Sequence, residues 1–301
     1  MTGYEYALVT PARNEAKFIA NTIESVVSQT VRPKKWVIIS DGSTDGTDEI
    51  VSSFAKEHEF ICFVRVSGSG KRSFSSKVNA FKASYEQLTD VQFDYVGNLD
   101  ADITLAPNYF EKVMQRFQAN SRLGIGGGII QELVNDKFTE QRISLNSVAG
   151  AVQMFRRHCY EEIGGYIPLR FGGVDSAAEI VARMHGWEVR TFSELGVHHH
   201  RPVGSGAGGI IKANFRYGRS HYSLGYHPLF ELLRCSYKLA DRPFVIGSLL
   251  MVCGYLWSFA TREEKELPEE AVRYLRSEQI GRLRTLRLER AAAASGKGNG
   301  R

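Results

Sequence analysis

What constrains this chain most is an alternation of short apolar runs with stretches of helical periodicity, repeated three times in its amino-terminal third. Tyr6 to Thr10 is apolar and stops at Pro11, and beyond it Phe18, Ile19, Thr22, Ile23, Val26 and Val27 recur at helical spacing. Trp36 to Ser40 ends at Asp41-Gly42-Ser43, and a helix is expected through Ile50, Val51 and Phe54. A third strand, Ile61 to Val66, precedes a helix through Val78, Phe81, Ala83 and Tyr85, and a fourth, Tyr95 to Leu99, runs into Asp100. Crossovers between such strands are right-handed, which makes a Rossmann-like, mostly parallel α/β sheet flanked by helices. Ligands of these sheets sit at the carboxyl ends of the strands. Those ends carry Pro11-Ala12-Arg13-Asn14-Glu15, Asp41-Gly42-Ser43 and Asp100-Ala101-Asp102, so three polar clusters converge on one edge.

Asp100 and Asp102 bracket a small residue directly after an apolar strand. Carboxylates this close repel unless a cation lies beside them. Oxygen ligands suit a hard divalent ion such as Mg2+ or Mn2+, which could neutralise a diphosphate leaving group. The plain alternative is a solvated acidic turn. Asp45 or Thr47 reads as a helix cap, whereas Asp41, at a strand tip, could accept from a base N–H or a ribose hydroxyl. Asn14 is either a helix cap or a ligand-facing group. Glu15 suits a ribose, and Arg13 suits the base or phosphates. Ser67-Gly68-Ser69-Gly70-Lys71-Arg72 fails as a P-loop, because position 65 is Arg and Lys71 is followed by Arg72. A flexible basic loop near a diphosphate is the remaining expectation there. No G-x-G-x-x-G follows the first strand, which argues against a dinucleotide-binding domain.

The motifs Thr10-Pro11-Ala12-Arg13-Asn14-Glu15, Ile39-Ser40-Asp41-Gly42-Ser43-Thr44-Asp45 and Asn98-Leu99-Asp100-Ala101-Asp102, in this order, resemble the successive signatures of family 2 glycosyltransferases of the GT-A fold. The resemblance covers about residues 4 to 205. It implies that Pro11, Glu15, Asp41 and Ser43 hold a nucleoside, and that Lys77 and Asn79 reach the ribose and diphosphate. Asp102 would be the direct metal ligand, with Asp100 supporting it or touching the ribose. Such enzymes usually invert and need a general base in an acidic pair after a Gly-Gly-aromatic stretch. Here Gly164-Gly165-Tyr166 is followed by Gly172-Gly173-Val174-Asp175, so the pair is reduced to Asp175, with Glu179 in reserve. Asp175 could equally cap the helix expected over residues 176–185. His198-His199-His200-Arg201 follows a strand over Val189 to Val197. Relatives complete the metal site with a histidine here. Alternation places His199 on the face of Leu195 and Val197, and Arg201 suits bidentate phosphate contact. Which of the three histidines would bind metal stays open.

The expected activity is therefore metal-dependent, inverting transfer of a sugar from a nucleoside diphosphate, UDP before GDP, to an acceptor hydroxyl in polysaccharide or glycolipid assembly. A retaining enzyme of the same fold, or a non-catalytic membrane-bound scaffold that binds nucleotide sugars, are the alternatives.

The catalytic domain is expected at residues 1–205, a helical carboxyl-terminal extension at 206–290, and a disordered Ala/Gly/Ser-rich tail at 291–301. From 205 to 243 cations and tyrosines interleave, and Pro243 to Thr261 has no formal charge. Gly247, Ser248, Gly254 and Ser258 make it marginal as a span. An interfacial element on an anionic leaflet, with membrane contact through 205–262, stands beside a buried helix or an oligomer contact. A net charge of +5 is too small to indicate nucleic acid. The four cysteines form no C-x-x-C pair, and no apolar leader follows the amino terminus. A cytoplasmic protein, peripheral on the inner face of the cell membrane, is the expectation.

Overall fold

The computed structural model describes residues 4–66, 74–134, 137–140, 144–201, 209–237 and 245–296. The chain divides into two compact units. One comprises Met1–Arg170 with Val174–Val203, the other Phe171–Gly173 with Gly204–Arg301.

The first unit is built on one mixed sheet. Its strands are β1 (Tyr6–Ala12), β2 (Lys35–Asp41), β3 (Ile61–Val66), β4 (Tyr95–Asn98), β5 (Ile103–Leu105), β6 (Leu123–Val134), β7 (Lys137–Glu140), β8 (Met154–Arg156) and β9 (Glu188–His199). The spatial order is β3-β2-β1-β4-β8-β6-β9-β5, with β7 hairpinned onto β6. β3, β2, β1 and β4 are mutually parallel, as the alternation of apolar runs and helices requires. Antiparallel pairs enter with β8, β7 and β5. Helices α1 (Ile19–Val27), α2 (Thr47–Glu57) and α3 (Phe74–Glu86) make the crossovers, and α4 (Tyr109–Ala119), α5 (Arg157–Glu162) and α6 (Val174–Met184) follow.

Of the parallel strands, β1, β2 and β4 are buried on both faces, and β1 and β2 read as near-continuous apolar runs, whereas β3 at the edge is only partly buried. Trp36 is fully buried and donates its indole N–H to Thr10 Oγ1 at 2.9 Å, so the core polar atoms of β1 and β2 satisfy each other. In the register of β1 against β4, Val9 lies opposite Asn98. That pairing brings the chain after Asn98 out of the sheet beside Pro11, on the edge where β2 ends at Asp41.

Gly126-Gly127-Gly128, which the sequence reads as a close backbone approach or a turn, is a close approach within a strand. It lies inside β6, where the partner β9 shifts register between Gly128 and Ile129. A Cβ on Gly128 would sit 2.2 Å from the Leu195 carbonyl oxygen and 2.9 Å from the Tyr109 ring. The bulge leaves no room to shift, so Gly128→Ala is expected to cost about 3 kcal/mol, read as a lower urea midpoint at unchanged m.

The second unit is helical: α7 (Gly209–Ser223), α8 (Pro228–Tyr237), α9 (Ile246–Ala260) and α10 (Glu269–Gly296). The uncharged stretch that starts at 243 is helical from Ile246. α10 continues to Gly296, into the segment expected to be a disordered tail. Four consecutive alanines, the best helix formers, carry it on. Buried His221 on α7 pairs through Nδ1 with Glu231 Oε1 of α8 at 2.8 Å.

Candidate functional site

Two loops leave the β1 and β2 tips and clasp each other. Asn14 takes a left-handed backbone (φ 55°), its Oδ1 accepts the Thr44 N–H at 2.8 Å, and its own N–H donates to Ser43 Oγ at 3.2 Å. It is therefore no helix cap, since α1 begins only at Ile19. Ser43 is buried and also accepts from Ser40 Oγ at 2.8 Å, so its hydroxyl serves the loop. Asp45 Oδ1 accepts the Thr47 N–H and so closes the tight turn before α2, whose N-cap is Gly46 in a left-handed backbone and not Asp45. The Thr47 hydroxyl in turn takes the Glu15 N–H at 2.8 Å. This lattice leaves Arg13 and Asp41 side by side at the strand tips, with Arg13 Nη1 3.7 Å from Asp41 Oδ2.

The second cluster is ionic. Glu15 and Asp102 are each only 6% exposed, yet both are charged residues. Burial of lone carboxylates would be costly, and one guanidinium answers both. Arg201 holds Glu15 through two nitrogens, Nη1 at 3.2 Å from Oε1 and Nη2 closer still on Oε2, while its Nε lies 3.5 Å from Asp102 Oδ2. Burial works against the Arg201 charge, but the Glu15 and Asp102 carboxylates hold its pKa above the ordinary value. Phe18 lies under the guanidinium, 5.4 Å from its ring centroid.

His199 is the buried histidine of the three. It alternates with Leu195 and Val197 on β9, as the strand period requires. Its Nε2 is 3.4 Å from Asp102 Oδ1. Burial opposes its protonation, yet Asp102 and then Asp100 outweigh this and raise its pKa. His198 stacks on Phe138 at 3.9 Å, and His200 Nε2 meets Thr104 Oγ1 at 2.8 Å, so both are occupied elsewhere. Pairing of β5 with β9, Ile103 opposite His199, is what brings the Asp102 and His199 side chains together.

Asp100 Oδ1 accepts from Asn98 Nδ2 at 3.2 Å, and its N–H donates to the Ala151 carbonyl at 2.9 Å. Of the expected metal set Asp102, Asp100 and His199, the structure brings Asp102 and His199 side by side, and Asp100 is braced by Asn98 and Ala151. Among the described residues no group of three His, Cys, Asp or Glu side chains converges as an ion cage. The carboxylate–imidazole pair still suits a divalent ion that takes its other ligands from substrate phosphates and water.

Asp175 is the second residue of α6, which begins at Val174, so it lies inside the first turn and is not the helix cap; its carboxyl group packs on Gly150, whose added Cβ would meet the Asp175 Cβ at 3.0 Å. The turn Gly150–Val152 therefore touches Asp175 on one side and Asp100 on the other. That turn is anchored from behind. Gln153 takes the Tyr166 hydroxyl at 2.7 Å and donates to Glu179 Oε1 at 3.2 Å, and Glu179 also accepts the Val148 N–H at 2.6 Å. Glu179 is 3% exposed and committed to this network, so it has no access to an acceptor and cannot be the reserve base. Sequence reasoning missed Gln153, although a glutamine amid Ala149-Gly150-Ala151-Val152 and Met154-Phe155 was the available signal.

Burial, then the Asp175 charge, raises the Glu179 pKa from 4.5 to about 7. A carboxyl group whose pKa is raised on folding stabilises most below its unfolded value, and that contribution is lost as pH rises through the folded one. The melting temperature of Glu179→Gln, relative to the parent, is thus expected to climb between about pH 4.5 and 7 and then level off. A difference independent of pH would show that Glu179 is not held protonated.

Asn79 is exposed on α3 and makes none of the described contacts that join the other candidates. Lys77 lies on the same helix, but its side chain falls outside the described residues, as does the basic loop 67–72.

A family model described as "Glycosyl transferase family 2" matches residues 7–175, more than half of the chain. The chain belongs to this family. Its sequence is 33% identical over 116 residues to the poly-beta-1,6-N-acetyl-D-glucosamine synthase of Staphylococcus epidermidis, 37% of this chain and 25% of the synthase. It is 24% identical over 167 residues to the chondroitin synthase of Pasteurella multocida, 52% of this chain and 16% of that protein. The matches thus span a quarter or less of these relatives. Among solved structures, a mannosyltransferase of Pyrobaculum calidifontis with GDP-Man and Mn2+ superposes with a TM-score of 0.54 at 16% identity, over 85% of this chain and 74% of that one. S. aureus TarS with UDP-GlcNAc gives 0.54 at 14% identity, over 85% and 73%. Both likenesses confirm the GT-A architecture.

Proposed function

We propose that the protein transfers a sugar from a nucleoside diphosphate donor to the hydroxyl of a saccharide or lipid-linked saccharide, with inversion at the anomeric carbon. The observation that carries this reading is Asp102 held between His199 and Arg201 beside the β1 and β2 tips. Asp41, with Arg13 at its side, receives the base, and Glu15 the ribose. Two of the relatives named above support the donor class, being described with UDP-GlcNAc and GDP-Man bound. We take UDP as the nucleotide, and polysaccharide or glycolipid assembly at the inner face of the cell membrane as the setting.

Asp102 and His199 would hold Mn2+ or Mg2+, and such an ion would stabilise the charge of the departing diphosphate. Arg201 supplies a second, fixed positive charge to the same phosphates. It would have to exchange part of its contact with Glu15 for phosphate, which frees a Glu15 oxygen for the ribose. Asp100 is oriented by Asn98 and the Ala151 carbonyl to support this group. Asp175, across the Gly150–Val152 turn, removes the proton of the acceptor hydroxyl as it attacks.

A thermal-shift screen of UDP- and GDP-sugars with and without Mn2+ tests the donor reading. A UDP-sugar is expected to raise the melting temperature, more with Mn2+ than without, by the mass-action term of a ligand that binds only the folded chain. Failure of every nucleotide sugar to shift the transition would overturn it.

A further inference from the structure

Helix α9 turns Gly247, Ser248, Met251, Gly254, Tyr255 and Ser258 to the rest of its unit, while Ile246, Leu249, Leu256 and Trp257 are each more than half exposed. The inward glycines let α9 lie backbone-to-backbone on α7. A Cβ on Gly254 would fall 2.0 Å from the Phe215 carbonyl oxygen, and one on Gly218 would fall 1.9 Å from that of Met251. Close approach on glycines with large apolar residues turned outward is a feature of helices whose solvent is lipid. The neighbouring α8 adds a second outward apolar stripe, with Leu229, Leu232, Leu233 and Tyr237 exposed at i, i+3, i+4 and i+8. The outward stripes of both helices hold no charge.

The sequence segment that carries this face is basic. Residues 205–262 contain seven cations (Lys212, Arg216, Arg219, Arg234, Lys238, Arg242, Arg262) against Glu231 and Asp241; Arg219 is held by Glu263 and Arg234 lies over the Tyr226 ring, while Lys212 and Arg262 are exposed. A protein partner would call for a polar rim with matched hydrogen bonds, whereas an apolar face within a cationic segment matches an anionic leaflet. The 15 residues of α9 extend about 22 Å, less than the ~30 Å of a hydrocarbon core. No described helix is long and apolar enough to cross a membrane.

We propose that the outward face of α8 and α9 docks on an anionic lipid bilayer, with α9 lying along the headgroup boundary. Trp257 and Tyr237 sit at the level their amphipathic rings favour, and the exposed cations Lys212 and Arg262 meet the lipid phosphates. This deepens the membrane setting of the proposed function but needs neither donor nor metal.

The test is co-sedimentation of the full chain, without nucleotide, with vesicles of phosphatidylcholine alone or mixed with phosphatidylglycerol. Binding to the mixed vesicles, weakened by salt, is expected. The double variant Leu249→Glu with Trp257→Glu should bind about tenfold more weakly or worse, and Trp257→Ala measurably more weakly. Both positions are exposed, so the melting temperature should hold. Absence of binding to either vesicle, or binding indifferent to these variants, would overturn the proposal. So would a dimer in ultracentrifugation that the double variant dissociates, which would assign the face to a second copy. Vesicle binding without sugar transfer would leave this inference standing and remove the proposed function.

Discussion

Asp102→Ala is expected to lower sugar transfer about a thousandfold, the loss typical of removing one group that stabilises charge only as it develops. Asp102 is the residue that both His199 and Arg201 address, so its removal strips the site of its link between the imidazole and the guanidinium. Asp102→Asn separates charge from shape. It keeps the volume between His199 and Arg201 but not the anionic oxygen a hard cation needs. Both variants should therefore lose turnover, and the response to added Mn2+ should flatten in both. Stability is expected to change little, because Arg201 keeps its two contacts to Glu15. Turnover measured across a Mn2+ titration checks this. Full activity in Asp102→Ala would remove the residue from the reaction and with it the proposed mechanism.

The second large effect belongs to Asp175. Asp175→Asn should cut kcat about a thousandfold, within the range by which a positioned acid or base contributes. Donor affinity should stay unchanged, because Asp175 lies beyond the Gly150–Val152 turn from the residues proposed to hold the nucleotide. Asp175 is also the acid in the first turn of α6, so the asparagine variant gives up a helix-dipole contribution of about 0.5 kcal/mol. That is too small to explain a thousandfold loss, and isothermal donor titration beside turnover separates the two roles. The anomeric configuration of the product completes the test. A retained configuration would leave Asp175 without work as a base, as would near-normal kcat in the asparagine variant.

Much of this architecture was legible because it depends on local pattern. The apolar runs at Tyr6, Trp36, Ile61 and Tyr95, separated by helical periodicity, admit little besides parallel strands with crossovers, and the polar clusters had to emerge at one edge. His199 was singled out by the period of two along β9, which buries it with Leu195 and Val197 while His198 points outward. The tight turn before α2 was recognisable, and Asp45 closes it on the Thr47 N–H although Gly46 is the cap. The run Gly126-Gly127-Gly128 admitted a turn or a close backbone approach, and the structure uses it for the latter. Here the approach is that of β9 across a bulge.

The sequence alone determined the α/β sheet, the edge where chemistry gathers and the identity of the acidic, basic and imidazole groups found there, since each follows from periodicity or from strand ends. Only the tertiary structure decided how those groups pair. The Glu15–Arg201 ion pair joins residues 186 positions apart, and Asp102 meets His199 because β5 happens to lie against β9. The same applies to Glu179, one helical turn from Asp175 and chemically a fair base, which the fold buries behind Gln153 and Val148. Which carboxylate keeps access to substrate is set by the packing of distant segments, and no local pattern carries that information.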